Sequence, residues 1–479
     1  LRRTKIICTI GPSSDSPEML EKLILGGMDI ARINTSHSLK DDAEKRIDSI
    51  RKISRKHKKN TAIMLDLQGP KIRVGRLEKS VLLSEKQRVV LTSVEDTSKL
   101  KEKYRDIEII SVDYAEFIKD LEPGCSVFID DGLLEIKVLE VDAQKNIAEG
   151  RVVIGGVLGS RKGINLPGIS VSLDSVTEKD IRFLNFGIKL GVDFIAQSFV
   201  RDSEDIKKIK DIIKSNGSNI MVIAKIEKHE AVSNFDSILE CSDGIMVARG
   251  DLGIEMPEED VPNIQKEIIR KSNVIGKPVI TATQMLDSMM RNPRPTRAEV
   301  SDVANAIYDG SDTVMLSGET AAGIFPLKAL RMMVRIINKT EKTLNYQEIL
   351  SNKFSIKQNT ITEAISFAAC EIASVLDAKA IITATQSGGT ARQISKNRPG
   401  SIIIGASPND WVVRQLMLSW GVIPAGTKFR KNINQTIEEA IGASKELGYV
   451  SAGDKVIVTG GVVVNKSGST NFLNVREVE

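Results

Sequence analysis

The chain has 479 residues, the length of about three domains at ~150 residues each, so a large core is within reach. Its 67 basic and 63 acidic residues leave a formal charge of +4, which speaks against a nucleic-acid or membrane surface and for small-molecule chemistry. The four cysteines, Cys8, Cys125, Cys241 and Cys370, show no Cys-x-x-Cys spacing and read as reduced thiols, neither a disulfide frame nor a zinc site, with a cytoplasmic address expected. Arg2-Arg3 before Ile6-Ile7-Cys8 faintly imitates a signal peptide, but Gly11-Pro12 ends the apolar run. No segment approaches the ~20 apolar residues of a membrane span.

Short apolar runs alternate with amphipathic stretches from the start. Strands are expected at 5–11, 29–36 and 62–67, with helices at 17–25 and 41–56. Ser16-Pro17 is a helix start and Gly26-Gly27 a stop. The βα rhythm breaks at Gly69-Pro70. Residues 71–165 read as an inserted small β-barrel lid of Val/Ile-rich runs, with a hairpin at Asp131-Gly132. After Leu166-Pro167-Gly168 the rhythm resumes, with strands at 193–199, 220–226, 244–250, 278–284 and 313–318. That makes eight, and residues 1–70 plus 166–345 have the roughly 250-residue length of a (β/α)8 barrel. Residues 346–479 alternate again, with strands at 380–385, 401–406 and 455–459, as in an open α/β sheet.

A β/α barrel builds its active site at the carboxyl ends of its strands. Polar residues are dense there: Arg32, Asn34, Ser36 and His37 on strand two, Asp66 on three, Ser198 on four, Lys225 and Glu227 on five, Arg249-Gly250-Asp251 on six, Thr283 on seven and Ser317 on eight. Lys225 and Glu227, two apart, face one side of a strand. Glu227 and Asp251 supply hard oxygen donors suited to Mg²⁺ or Mn²⁺. A plain internal Lys225–Glu227 ion pair is the alternative for that pair alone; the second carboxylate and Arg249 favour a site. Arg249-Gly250-Asp251 also spells an adhesion tripeptide, which a buried strand end cannot present; Gly250 more naturally lets backbone approach a ligand. Arg32 offers a fork for phosphate. His37 is at most a nucleotide contact, and Thr283 and Ser317 are barrel-mouth hydroxyls whose position makes a role plausible.

The stretches Lys225-Ile-Glu-Lys-His-Glu, Gly244-Ile-Met-Val-Ala-Arg-Gly-Asp-Leu-Gly-Ile-Glu, Ala282-Thr-Gln-Met-Leu, Pro293-Arg-Pro-Thr-Arg-Ala-Glu and Met315-Leu-Ser-Gly-Glu-Thr-Ala together resemble the pyruvate kinase family. So do Cys8-Thr-Ile-Gly-Pro-Ser-Ser, Phe128-Ile-Asp-Asp-Gly and Lys162-Gly-Ile-Asn-Leu-Pro-Gly, which carry the resemblance over essentially the whole chain. It implies the last step of glycolysis, transfer of the phosphoryl group of phosphoenolpyruvate to ADP giving pyruvate and ATP, in a cleft between barrel and lid. By that resemblance Glu227 and Asp251 hold the divalent metal, and Lys225 with Arg32 neutralises the transferring group. The backbone of Gly250 and Asp251, with the Thr283 hydroxyl, fixes the substrate carboxylate. Asn34, His37, Arg73 and Lys162 contact the nucleotide, and Thr283 and Ser317 belong to a proton relay whose donor is not identified.

Family members that need K⁺ bind it at the equivalents of Asn34, Ser36, Asp66 and the Leu67 carbonyl, beside a glutamate. Here that position is Lys71 in Asp66-Leu67-Gln68-Gly69-Pro70-Lys71, which resembles the branch whose lysine replaces the ion, so K⁺ is expected to be dispensable. In the third region Thr385, Ser387, Gly388, Gly389 and Thr390 follow a strand and open a helix. An ordinary turn explains them alone; the resemblance makes them the site of a phosphorylated effector, closed by a loop over 460–471 containing Lys466, Ser467 and Ser469. It also implies allosteric control and a homotetramer. Two rivals stand beside this: another enolate-forming barrel enzyme on Mg²⁺, which has no need of Arg73 and Lys162, and a catalytically silent metabolite sensor, which needs no intact catalytic set.

Overall fold

The computed structural model describes residues 1–36, 38–354, 360–430, 432–461 and 470–479. Within them eight parallel strands close into a barrel: Lys5–Ile10, Ile30–Asn34, Ala62–Asp66, Phe194–Gln197, Met221–Ile226, Gly244–Ala248, Val279–Ala282 and Thr313–Leu316. Each pairs with the barrel strands before and after it, and the last returns to the first through Lys5↔Thr313 to Cys8↔Leu316. All eight expected strands are present, but seven stop one or two residues short of their expected carboxyl ends. There the chain leaves the ladder to build the mouth. Arg249, Gly250 and Asp251 open a helix, Arg249–Glu255, and Thr283 and Gln284 take positive φ of 67° and 54°.

The strand period of two sorts the side chains. Ile7, Ile30, Met64, Ala196, Ile223 and Met315 fill the barrel interior, while their neighbours Ile6, Ala31, Leu65, Ile195, Ala224 and Val314 pack outward into the core shared with the helices. One inward step further toward the carboxyl ends, the sequence switches from apolar to polar: Thr9, Arg32, Asp66, Ser198, Lys225 and Ser317. At the opposite end Met417 and Leu418 join the interior cluster, and Thr313 donates to the Leu418 carbonyl. The barrel is thus packed below and polar above. The first helix, Pro17–Gly26, begins on the expected cap, with the Ser16 hydroxyl accepting from the Met19 N–H at 3.3 Å, and stops at Gly27, φ 112°.

Between the third and fourth barrel strands lies a six-stranded sheet and a two-stranded ribbon around a separate core that includes Val89, Leu91, Ile110, Val127 and Ile136. Its edge strands, Ile164–Asn165 and Glu108–Ser111, are joined through one segment: Arg73 bridges Gly163 and Val74 bridges Val112. The sheet is closed by the same residues that enter it from the barrel. The expected hairpin runs from Ser126–Ile129 to Leu134–Asp142, turning through Asp130, Asp131 and Gly132 at φ 57°, 56° and 86°.

The C-terminal sheet has the order Val422–Gly426, Ile402–Ser407, Ala380–Ala384, Lys455–Gly460 and Phe472–Glu477, the last strand antiparallel. The two edge strands were not expected from the sequence. Val422–Gly426 carries Pro424, which an edge tolerates, and Phe472–Glu477 is half-buried to exposed throughout, without an apolar run. No described helix is long and apolar enough to cross a membrane.

Candidate active site

The polar layer at the barrel mouth is one bonded network. Arg32 Nε meets Asp66 Oδ2 at 2.6 Å and its Nη1 donates to Thr9 Oγ1 at 2.9 Å. Lys225 Nζ reaches Ser198 Oγ at 2.6 Å, Glu227 Oε1 at 2.7 Å and Asp66 Oδ1 at 3.2 Å. Glu227 Oε2 accepts from the Phe199 N–H at 2.8 Å. Lys225, Asp66 and Glu227 are only 8 %, 1 % and 2 % exposed, so their charges stand in a medium where pairing decides ionisation. Burial works against the Lys225 ammonium, yet Asp66 and Glu227 outweigh it and lift its pKa above the ordinary lysine value. Burial likewise opposes the Asp66 carboxylate, and Arg32 and Lys225 hold it below its ordinary range. The internal Lys225–Glu227 ion pair therefore exists, but as part of the site.

Asp251 differs from these groups. It makes no side-chain hydrogen bond or ion pair among the described residues, and burial and the Glu227 charge push its carboxyl up to about 6, with Lys225 and Lys71 acting the other way. Two crowded carboxylates, one without a bonded cation, form a hard-oxygen donor pair that fits a divalent ion. Behind Asp251, the Gly250 N–H donates to Thr283 Oγ1 at 2.7 Å, and Thr283 Oγ1 to the Ala282 carbonyl at 2.6 Å. A Cβ on Gly250 would meet that hydroxyl at 3.4 Å. Arg249, expected to strengthen the site, turns away from it: its guanidinium bonds Asp302 at 2.7 Å and the Thr283 carbonyl at 2.8 Å. It begins a helix rather than ending a strand, so its side chain leaves the barrel axis and clamps the neighbouring loop.

The lid completes a cavity of about 310 Å³. Arg32, Asn34, Ser36, Asp66, Lys225, Glu227 and Asp251 line it from the barrel, and Lys71, Arg73 and Lys162 from the lid side. Lys162 Nζ pairs with Asp130 Oδ2 at 2.8 Å, and Arg73 Nη1 donates to the Arg161 carbonyl at 3.0 Å. Lys71 packs over Gly163, where a Cβ would come within 2.7 Å of Lys71 Cε. Gly250, Thr283 and Ser317 stand outside this lining. Ser317 Oγ is buried without a hydrogen-bond partner among the described residues, while its N–H is held by Glu319 Oε2 at 2.7 Å. The Leu67 carbonyl accepts from Ser198 Oγ at 2.7 Å. His37 lies outside the described residues.

The profile of the pyruvate kinase barrel domain matches residues 1–330, and that of the pyruvate kinase alpha/beta domain residues 363–476. The chain belongs to the pyruvate kinase family, and is a phosphotransferase. Pyruvate kinases of Staphylococcus aureus strains MRSA252 and USA300 are 45% and 46% identical to it over 478 residues, covering 100% of this chain and 81% of theirs. A crystal structure of a pyruvate kinase from Cryptosporidium parvum superposes with a TM-score of 0.91 at 40% identity, covering 100% of this chain and 96% of that one.

Several cleft residues of this pyruvate kinase family member escaped the sequence reading. Thr9, bonded to Arg32, was visible only as a polar residue in register with the inward Ile7 of strand one. Asp130, Asp131 and Arg161 line the cleft from lid turns, and nothing local in the sequence points a lid turn at the barrel mouth. Far from the cleft, a second cavity of about 360 Å³ is lined by Thr385, Ser387, Gly389 and Thr390 together with Lys428 and Arg430. Gly388, φ 79°, caps the helix Gly389–Lys396 and donates its N–H to Thr385 Oγ1 at 3.0 Å. Lys466, Ser467 and Ser469 lie outside the described residues.

Proposed function

We propose that phosphoenolpyruvate and ADP meet in the barrel–lid cavity and that the chain passes the phosphoryl group from the first to the second, giving pyruvate and ATP. The observation that carries this is the convergence of Arg32, Lys225, Glu227 and Asp251 with Arg73 and Lys162 around one cavity. Lys225 and Arg32, already paired with and oriented by Asp66, neutralise the transferring group without reorganising, as a loose phosphoryl-transfer transition state requires. Glu227 and Asp251 would hold Mg²⁺ or Mn²⁺. That ion, when bound, supplies Lewis acidity to the departing oxygen. The N–H groups of Gly250 and Asp251 and the Thr283 hydroxyl receive the substrate carboxylate, the Gly250–Thr283 bond opening to do so. Asn34, Arg73, Lys162 and His37 take the nucleotide phosphates and sugar. Ser317, whose buried hydroxyl has no hydrogen-bond partner among the described residues, and Thr283 carry the proton relay.

Lys71 in this reading stands in for K⁺ beside Asn34, Ser36, Asp66 and the Leu67 carbonyl. Its place in the cavity wall, with its charge felt at Asp251, supports an inward ammonium over a solvent-facing one. A phosphorylated effector in the cavity around Thr385, Ser387 and Thr390, a homotetramer, a cytoplasmic address, and a division into 1–70 plus 166–345, 71–165 and 346–479 complete the proposal. The test is pyruvate formation from phosphoenolpyruvate, coupled to a dehydrogenase, with ADP, Mg²⁺ and K⁺ varied in tetramethylammonium buffer. Turnover that needs ADP and Mg²⁺ but persists without K⁺ is expected. Pyruvate released without ADP would overturn the transfer, and near-zero activity restored by K⁺ would overturn the role of Lys71.

A further inference from the structure

We propose that Phe199 is a positioning residue that ties the two connections of the lid to the carboxylate of Glu227; this rests on the reading of Glu227 and Asp251 as the holders of a divalent ion. Phe199 follows the fourth barrel strand, Phe194–Gln197, in a left-handed backbone conformation with φ 54°, which a bulky side chain adopts only where its surroundings impose it. Two contacts impose it here. The Phe199 N–H donates to Glu227 Oε2 at 2.8 Å, while Lys225 Nζ takes Oε1 at 2.7 Å. Both oxygens of Glu227 are therefore held, and the carboxylate has one orientation. The second contact is the ring, which lies so close to Gly69 that a Cβ on that glycine would come within 2.6 Å of Phe199 Cδ2.

Gly69 is the point at which the chain leaves the barrel for the lid. It has φ 68°, and its N–H is pinned by Asp180 Oδ1 at 3.2 Å. Phe199 lines both the catalytic cleft and a second, small recess whose walls are Pro70 and Ile72 of the connection into the lid and Ile164 and Leu166 of the connection out of it. Both connections thus meet the one residue whose peptide N–H orients Glu227. A shift of either connection presses on the ring, and the strained peptide behind the ring passes that shift to the carboxylate. Donors that orient a metal ligand from behind set metal affinity by about 10–100-fold, so the lid has a mechanical hold on the ion site without contributing a ligand to it.

Mn²⁺ binding to the full chain, read from the electron paramagnetic resonance signal of the free ion without nucleotide or phosphoenolpyruvate, tests this in a double-mutant cycle of Gly69→Ala and Phe199→Gly. Glu227→Gln should weaken binding by about tenfold or more, as loss of a ligand. Phe199→Gly, which relieves the φ and removes the ring, should weaken it about tenfold, and Gly69→Ala, which pushes the ring, about fivefold. In the Phe199→Gly background Gly69→Ala should change it by less than about twofold, because the ring that carries the effect is gone. A Gly69→Ala effect undiminished in that background would overturn the link. Should Gly69→Ala fail to fold by circular dichroism, Phe199→Leu decides: binding restored above that of Phe199→Gly supports the link, and binding no better than Phe199→Gly overturns it. Binding weakened by Glu227→Gln but not by Phe199→Gly would overturn the link alone, whereas binding that Glu227→Gln leaves unchanged would overturn the metal reading and the link with it.

Discussion

The barrel–lid cleft and the cavity of the C-terminal domain have similar volumes, about 310 and 360 Å³, and differently arranged polar groups. In the cleft, the acid and base side chains of Arg32, Asp66, Lys225 and Glu227 are nearly dry and bonded to one another. In the C-terminal cavity the lining between strand and helix is hydroxyl and backbone, with Thr390 Oγ1 at 2.7 Å from Thr470 Oγ1, and its acid–base pair Arg430–Glu439 is part-exposed. Holding several charges out of water is expensive unless each is paired. A chain that does so at a strand-end layer has charges already oriented when a reaction develops new ones. Hydroxyls around a helix start suit a ligand that is bound and released unchanged. In the function proposed above, the difference separates a place for chemistry from a place for binding.

Replacing Lys225 should strain this contrast most. Lys225→Met is expected to lower kcat by about 10²–10³-fold, the cost of one preorganised electrostatic donor, with a much smaller change in KM; steady-state assays of pyruvate formation measure it. A loss confined to KM would mean that Lys225 serves binding alone.

Asp66→Asn should come next, because Asp66 is the shared counter-ion of Arg32 and Lys225. Leaving two buried cations without it is expected to cost about 3–5 kcal/mol of stability, read as a lowered urea midpoint, together with a fall in kcat. Lys71→Glu should have a smaller effect that depends on the medium: activity drops in tetramethylammonium buffer and K⁺ restores part of it. An equal drop in both buffers would detach Lys71 from the monovalent pocket.

The smallest effect tests the C-terminal side, where a part-buried ammonium stands beside two other cations. Lys353 donates to the Lys396 carbonyl, and burial, with Arg398 and Lys396 nearby, lowers its pKa from 10.5 to about 7. Between pH 7 and 10.5 the unfolded chain binds the extra proton, so this group makes stability rise with pH across that window, and its penalty is fully present below 7. Lys353→Met should therefore raise the melting temperature by a few degrees, on the order expected for ~1 kcal/mol in a domain of this size, at or below pH 7. The gain should vanish toward pH 10. A gain independent of pH would assign it to packing.

The sequence by itself determined the repeating parts. Eight apolar runs at barrel spacing, the Ser16-Pro17 and Gly27 helix limits and the Asp131-Gly132 hairpin follow from local rules of period and turn chemistry, which do not depend on distant contacts. The same period of two placed Lys225 inward, and strand-end position alone marked Arg32, Asp66 and Asp251 as neighbours at one mouth. Only the tertiary structure decided how they are bonded. Barrel closure brings strands one, two, three, four and five together so that Asp66 is shared by Arg32 and Lys225, with Thr9 and Ser198 completing the contacts. It also turned Arg249 outward to Asp302 by starting a helix where a strand was expected. The lid turns carrying Asp130, Asp131 and Arg161 reach the cleft because Arg73 and Val74 close the inserted sheet over it. Local periodicity says which way a side chain points from its own strand; which other charge it meets, and whether water remains between them, is settled by the closure of the fold.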